Sequence, residues 1–318
     1  MAELDEPASP AAPNHVVHHK HGGDTPAGWA FGFTAYGLWG VIPLYFRLLG
    51  HVPPLEVLAH RAWWAFLLLA LTIFGLGITD HVRAVVRDRR TLLTLVGSTF
   101  LIAANWYTYI YAVNTHQVMQ AGLGYFITPL ANVLLGVVVL GERLRVLQLI
   151  AIVLAASGVV MLTSYTGEVP WIALCLTVSF SLYGLLRKIA RAEALVGLFV
   201  ETTLLAPLAL GYVGYLAWQG VGSFTVDDPR TIGFLLLSGP VTTVPLVCFA
   251  AAARRLRMTT LGFLQFLAPM LQVAVAVGLM GEQFTVAYQR SFPLIWAAVG
   301  LYLADAVLSR RRAAAKDV

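Results

Sequence analysis

Ten apolar runs follow one another along this chain, separated by short polar joints. They are Gly28 to Phe46, Leu55 to Gly77, Leu92 to Val113, Val118 to Leu140, Val146 to Ser164, Val169 to Leu186, Ala194 to Trp218, Thr231 to Ala253, Met258 to Met280 and Ala287 to Leu308. A bilayer core about 30 Å thick needs roughly 20 apolar residues per helix, and each run is near that length. The pattern predicts an all-α integral membrane fold with ten transmembrane helices. Residues 1–27 lack an apolar stretch. They read as a disordered cytoplasmic tail and not as a signal peptide. Residues 309–318 read as a short basic cytoplasmic tail.

The runs repeat. GLGYFITPLANVLLGVVVLGE, from Gly122 to Glu142, matches GFLQFLAPMLQVAVAVGLMGE, from Gly262 to Glu282, at a constant offset of 140. The offset pairs Phe126 with Phe266, Pro129 with Pro269, Asn132 with Gln272 and Gly141-Glu142 with Gly281-Glu282. Leu38-Trp39-Gly40 echoes Leu182-Tyr183-Gly184 at an offset of 144. The chain therefore divides into two five-helix repeats, 28–164 and 169–308. Five is odd, so the second repeat enters the membrane from the opposite side. Inverted repeats of this kind recur in transporters.

Composition agrees with a chain solvated by lipid. Hydrophobic residues make up 58% and charged residues 12%, against about 25% charged in soluble domains. With the N-terminus inside, seventeen of the 21 Lys and Arg fall in inside segments and three (Arg47, Arg230, Arg290) outside; Arg61 lies within a run. That split puts both termini in the cytoplasm of a cell-membrane protein. The net charge of +5 then reflects membrane anchoring and not nucleic-acid binding. Cys175 and Cys248, both in apolar runs, argue against a disulfide framework. No zinc-protease H-E-x-x-H, G-x-S-x-G or phosphate-binding G-x-x-x-x-G-K-[ST] occurs, so neither those enzyme chemistries nor direct ATP drive is expected. No cofactor or metal is expected. The histidines at 15, 18, 19 and 21 sit in a tail without a fold to preorganise them.

Several stretches carry a family resemblance: LWGVIPLYFRLL (Leu38–Leu49), LEVLAHRAWWAFLLL (Leu55–Leu69), NWYTYIYAVN (Asn105–Asn114), LGYFITPLANVLLGVVVLGERL (Leu123–Leu144), SFSLYGLLRK (Ser179–Lys188) and TLGFLQFLAPMLQ (Thr260–Gln272). In these the chain resembles the RarD-type members of the EamA group, in the drug/metabolite transporter superfamily. The resemblance implies ten helices, cytoplasmic termini and a cell-membrane permease. Superfamily members export metabolites or drugs, or exchange solutes, and RarD-type proteins often carry a chloramphenicol-sensitivity or resistance label.

Charges inside a membrane are costly and are functional candidates by default. His60 and Arg61 fall in the second run, and Glu201 falls in the seventh. The offset of 140 maps Arg61 onto Glu201. One reading has Arg61 capture an anionic group while Glu201 binds a cation or proton; the other pairs each within the bundle or lets it reach an interface. Glu56 reads as interfacial or capping. Glu142 and Glu282 read as structural, with Arg143, Arg145 or solvent offsetting an unfavourable helix dipole. In the third run Asn105, Trp106 and Tyr109 offer amide, indole and phenol groups to a cavity or to neighbouring helices. Tyr125 with Gln265, and Asn132 with Gln272, are further substrate-binding candidates. Trp39 and Tyr183 are cavity-wall candidates, and Pro129 and Pro269 are candidate hinges.

These features favour a secondary transporter moving a small organic solute by alternating access, with protons as a candidate coupling ion. The fifth and tenth helices would buttress the bundle or form a homodimer contact. A membrane-embedded binding or regulatory protein without turnover is the alternative, and a lipid-modifying membrane enzyme is a third reading.

Overall fold

Prolines and short polar side chains begin the helices. Thr25 accepts a hydrogen bond from the Gly28 amide at 3.1 Å, just ahead of Pro26. Asp88 accepts from the Arg90 amide at 3.2 Å and the Thr91 hydroxyl at 2.6 Å. Asp228 accepts from the Thr231 amide at 3.0 Å and precedes Pro229. Each satisfies amide donors that a first helical turn leaves unpaired, and proline is tolerated there because it lacks one. Gly167 and Gly220 close two helices in the left-handed conformation, at φ 73° and 67°.

The computed structural model describes residues 25–140, 145–225, 227–253, 255, 256, 260 and 264–314. Among these it has eleven helices: α1 (Pro26–Leu48), α2 (Pro54–Gly75), α3 (Thr79–Arg87), α4 (Arg89–Asn114), α5 (Val118–Leu140), α6 (Val146–Thr166), α7 (Trp171–Ile189), α8 (Ala194–Gln219), α9 (Pro229–Ala253), α10 (Leu267–Gly278) and α11 (Val286–Ala314). Six of them, α2 and α5 to α9, are long and apolar enough to cross a membrane on length and composition alone. The 23-residue α1, 26-residue α4 and 29-residue α11 have the length, at about 1.5 Å per residue; α4 and α11 carry more polar groups, and α1 is rich in glycine and aromatic residues. Large apolar side chains face outward. Val138, Val146 and Trp218 are 73%, 74% and 81% exposed, as suits a surface covered by lipid.

Two elements depart from the sequence pattern. The short α3 occupies a stretch expected to be a basic joint. Arg83 and Arg87 sit on it alongside Val85, which is buried. The ninth run, expected as one helix from Met258 to Met280, turns at Gln265 and Phe266, and α10 starts at Leu267. Pro269 explains the break. It has no amide to donate to the carbonyl four residues back, and its ring crowds that turn, so it sits in the first turn of a new helix. Pro129 behaves differently: α5 runs through it. Beside it the Thr128 and Thr177 hydroxyls both donate to the Gly124 carbonyl at 2.9 Å.

Helix α1 packs on α9 and α10, α2 on α8 and α9, α4 on α7, and α5 on α7 and α10. Helices α6 and α11 pack chiefly on each other at the edge. Small residues allow close approach. A Cβ added at Gly124 would lie 2.7 Å from the Ala173 carbonyl oxygen, and one at Gly239 2.8 Å from the Trp64 backbone. The main core cluster draws from α1, α2, α4, α5, α7 and α10, among others, and includes Phe46, Ile110, Leu123 and Leu176.

Glu282 has a structural role, with a partner the sequence did not suggest. Its carboxylate accepts from the Val118 and Met119 amides at 2.6 and 2.8 Å. It thus caps α5 from the end of α10, and the positive end of α5's dipole offsets its charge. Arg145 instead pairs with Asp305 of α11 at 3.0 Å. Glu142, Arg143 and the tail histidines lie outside the described residues.

Candidate functional site

Helix α2 carries three polar residues in two turns. Glu56, in the first turn, accepts from the Ser223 amide at 2.6 Å and its hydroxyl at 3.0 Å, tying the 220–225 segment to α2. One turn on, His60 Nδ1 accepts from the Trp64 indole at 3.3 Å, and the ring stacks on Phe224 at 5.0 Å between centroids. His60 Nε2 is buried without a partner among the described residues.

Arg61 is 7% exposed. Its Nε donates to the Thr242 hydroxyl on α9 at 2.9 Å, and that hydroxyl donates in turn to the Ser238 carbonyl at 2.8 Å. The guanidinium carbon lies 4.2 Å from the Trp106 ring centroid and 5.5 Å from that of Phe46. Tyr45, Tyr109 and Tyr125 are its electrostatic surroundings. Among the described residues no carboxylate pairs with it. A charged hydrogen bond is worth about 1.5–3 kcal/mol and a desolvated cation–π contact about 2. Burying an ion costs several kcal/mol, so these contacts hold Arg61 in place but give it no counter-charge.

Glu201 of α8 is held differently. It is 1% exposed. Ser98 of α4 donates to its Oε1 at 2.5 Å, and Tyr183 of α7 donates to its Oε2 at 3.2 Å. Arg187 Nε lies 4.0 Å from Oε1. Arg187 Nη2 also donates to the Glu193 and Ala194 carbonyls at 3.2 and 3.3 Å. Its guanidinium occupies the space that a side chain at Gly197 would fill. Arg61 and Glu201 do not pair with each other. Each crosses to a hydroxyl on a neighbouring helix: α2 to α9 through Thr242, and α8 to α4 through Ser98.

The other candidates divide. Asn105 is buried and donates to the Leu176 carbonyl at 3.1 Å and Ser179 at 3.0 Å; Tyr125 donates to its Oδ1 at 3.4 Å. Tyr109 stands 5.9 Å from Tyr125, centroid to centroid, with its hydroxyl buried and unpartnered. Trp106 is the ring under Arg61. These residues lie together beside Arg61. Gln272 is buried and donates to the Trp39 carbonyl at 3.1 Å, and its oxygen has no partner among the described residues. Its aligned partner Asn132 is exposed, so those two positions are not equivalent, whereas Tyr125 and its aligned Gln265 are both half-buried. Trp39 packs on Tyr36 and Phe249. Tyr183 belongs to the Glu201 cluster. Pro129 and Pro269 are both buried.

Sequence reasoning missed Tyr45, Ser98, Arg187, Gly197 and Thr242. Ser and Thr in apolar runs usually bond the carbonyl four residues back, as Ser157 and Thr163 do here, so nothing in the sequence marks Ser98 or Thr242. Arg187 counts among basic joint residues on spacing alone. Among the described residues no group of three His, Cys, Asp or Glu is placed to hold a metal ion.

An apolar helical bundle that buries opposite charges on two of its helices, behind a lipid-facing exterior, is a multi-pass membrane protein. The model of the EamA-like transporter family matches residues 27–164. An uncharacterised transporter of Pseudomonas aeruginosa is 44% identical over 287 residues, covering 90% of this chain and 96% of that one. Protein RarD of Escherichia coli is 39% identical over 289 residues, 91% of this chain and 97% of that one. A chloramphenicol-sensitive protein RarD of Pseudomonas aeruginosa is 30% identical, with 88% and 95% covered. A protein crystal structure shares the fold at 21% identity and a TM-score of 0.56, covering 86% of this chain and 96% of that one. The chain belongs to the RarD-type permeases of the EamA family and is a membrane transporter of the drug/metabolite superfamily.

Proposed function

We propose that this chain is a secondary transporter that moves a small organic metabolite or drug by alternating access, as an exporter or exchanger. It works without enzymatic turnover. Its two repeats, 28–164 and 169–308, are inverted five-helix units, and both termini lie on the cytoplasmic side of the cell membrane. The observation that carries the reading is the pair of crossed bonds. Arg61 of α2 reaches Thr242 of α9, and Glu201 of α8 reaches Ser98 of α4. In order of the ten runs, these are second to eighth and seventh to third, which an inverted twofold exchanges. The packing of α1 on α9 and α10 likewise exchanges with that of α7 on α4 and α5.

Protons are the proposed coupling ion, with Glu201 as their carrier. The test is flux in proteoliposomes across a broad metabolite panel, with and without a proton gradient. We expect gradient-linked flux that Arg61→Ala abolishes while expression stays intact. Glu201→Gln is expected to keep exchange but lose its dependence on the gradient. Absence of gradient-linked flux for every solute would sink the reading.

One observation favours a second reading, a membrane-embedded binding or regulatory protein without turnover. Arg61, Asn105 and Glu201 are 7%, 2% and 1% exposed, an interior closed on both charges in this conformation. Solute binding without flux would favour it.

A further inference from the structure

We propose that the solute is a small organic carboxylate with a flat apolar body, its carboxylate taking the two terminal nitrogens of Arg61. The inference rests on the transporter reading for its physiological meaning, but not for the binding event itself.

The argument starts from how Arg61 is tethered. Thr242 takes only Nε, and the Thr242 proton is committed to the Ser238 carbonyl, so the hydroxyl can serve only as an acceptor toward Arg61. One edge of the guanidinium is therefore fixed. The opposite edge, carrying Nη1 and Nη2, makes no hydrogen bond to another described residue. That edge is a planar fork matched in spacing to two carboxylate oxygens. A lysine would offer a point charge there; the fork selects a planar anion.

The walls supply the rest. Trp106 lies under the guanidinium at 4.2 Å and Phe46 at 5.5 Å, so the fork lies beside aromatic faces. Tyr109 and Tyr125 extend the aromatic surface, 5.9 Å apart, and Tyr125 continues to Phe180 at 6.2 Å. A chloride or sulfate ion would use the charge and leave those faces idle. The buried Tyr109 hydroxyl has no partner among the described residues and is left to donate to the same ligand. Recognition by charge at one end and aromatic contact along the body is the usual division of labour in small-molecule sites.

The experiment uses the full-length protein in lipid nanodiscs, titrated calorimetrically with matched probes. These are phenylacetate against phenylacetamide and phenethylamine, and indole-3-acetate against indole-3-acetamide and tryptamine, with sodium chloride and sodium sulfate as inorganic arms. The carboxylates are expected to bind about tenfold or more tighter than their amides, the scale of a charge-assisted hydrogen bond. Arg61→Gln should remove that preference, and Arg61→Lys should recover only part of it. Thr242→Val removes the tether while keeping every charge, and serves if Arg61→Gln does not fold. It should weaken carboxylate binding several-fold and leave amide binding unchanged.

Equal or tighter binding of amides or amines overturns the proposal. So does a preference that survives Arg61→Gln, no binding by any probe, or displacement of the carboxylates by chloride or sulfate at equal concentration. The two readings fail separately. Gradient-linked flux of neutral or cationic solutes without carboxylate binding removes the ligand class and keeps the transporter. Carboxylate binding that needs Arg61 but gives no flux removes alternating access and keeps the ligand class.

Discussion

Two buried charges in this protein are stabilised by different means, and each means predicts a different failure. Glu201 is surrounded by donors: Ser98, Tyr183 and, at 4.0 Å, Arg187. That Arg187 can reach Glu201 depends on Gly197 having no side chain. Gly197→Ala would drive the guanidinium away, and overpacking of this kind costs about 1–3 kcal/mol. We expect a lowered melting temperature, with carboxylate binding at Arg61 preserved. Gly184→Ala, where nothing lies within 4 Å, should leave the melting temperature unchanged. At the surface the Thr91 hydroxyl, donating to its carboxylate, holds Asp88 below the ordinary carboxylate value. The cap therefore contributes its stability above the unfolded value of about 3.9 and loses it as pH falls through the lower folded value. Asp88→Asn should flatten that acid limb of a pH–stability curve, leaving neutral pH little changed. Arg61, His60, Asn105 and Glu201 were legible in the sequence because each is polar in an apolar run. Their partners were not, since a hydroxyl bonded across helices looks like one bonded back along its own helix.

At the scale of elements, the offset of 140 was legible from Pro-to-Gly-Glu spacing, but equal sequence did not produce equal structure. Pro129 lies within a continuous helix, whereas Pro269 stands at the start of α10 after a turn. The two prolines thus hold different places in their helices, Pro129 well inside α5 and Pro269 in the first turn of α10, where a missing amide costs no helical bond. Helix α3 escaped the hydrophobic pattern because it is short and rich in arginine, a surface element and not a span. The cap at α5 gives a test on this scale. Glu282→Ala leaves the Val118 and Met119 amides without their acceptor. Loss of such a cap costs about 0.5–2 kcal/mol, to be read as a lower melting temperature in detergent. Glu282→Gln, which keeps an acceptor but loses the charge, should lie between the two.

For the whole molecule, the larger helix contacts among the described residues mostly pair off as the proposed inverted twofold would have them, and the largest departure involves α2. Helix α2 packs extensively on α9, while its counterpart α8 makes lesser contact with α4. Under the proposed alternating-access cycle, a carrier halted in one of its two conformations would have this asymmetry. The orientation proposed from the arginine and lysine distribution is open to direct measurement. With Cys175 and Cys248 replaced by serine, a membrane-impermeant maleimide should label Asp227→Cys on intact cells. Glu193→Cys should react only after permeabilisation; the reverse pattern would invert the topology. Both positions are exposed.

The Glu282 cap constrains how such a molecule can move. Two short hydrogen bonds join the end of α10 to the start of α5, across the boundary between the proposed halves. Any motion that parts these ends must break both while stranding a carboxylate, so the joint resists separation and tolerates rotation. In the proposed cycle it would serve as a fulcrum, with the halves pivoting about it and the short arm near this membrane face. The larger displacement then falls at the opposite face, and a stiffer pin should slow the cycle without changing what the carrier binds.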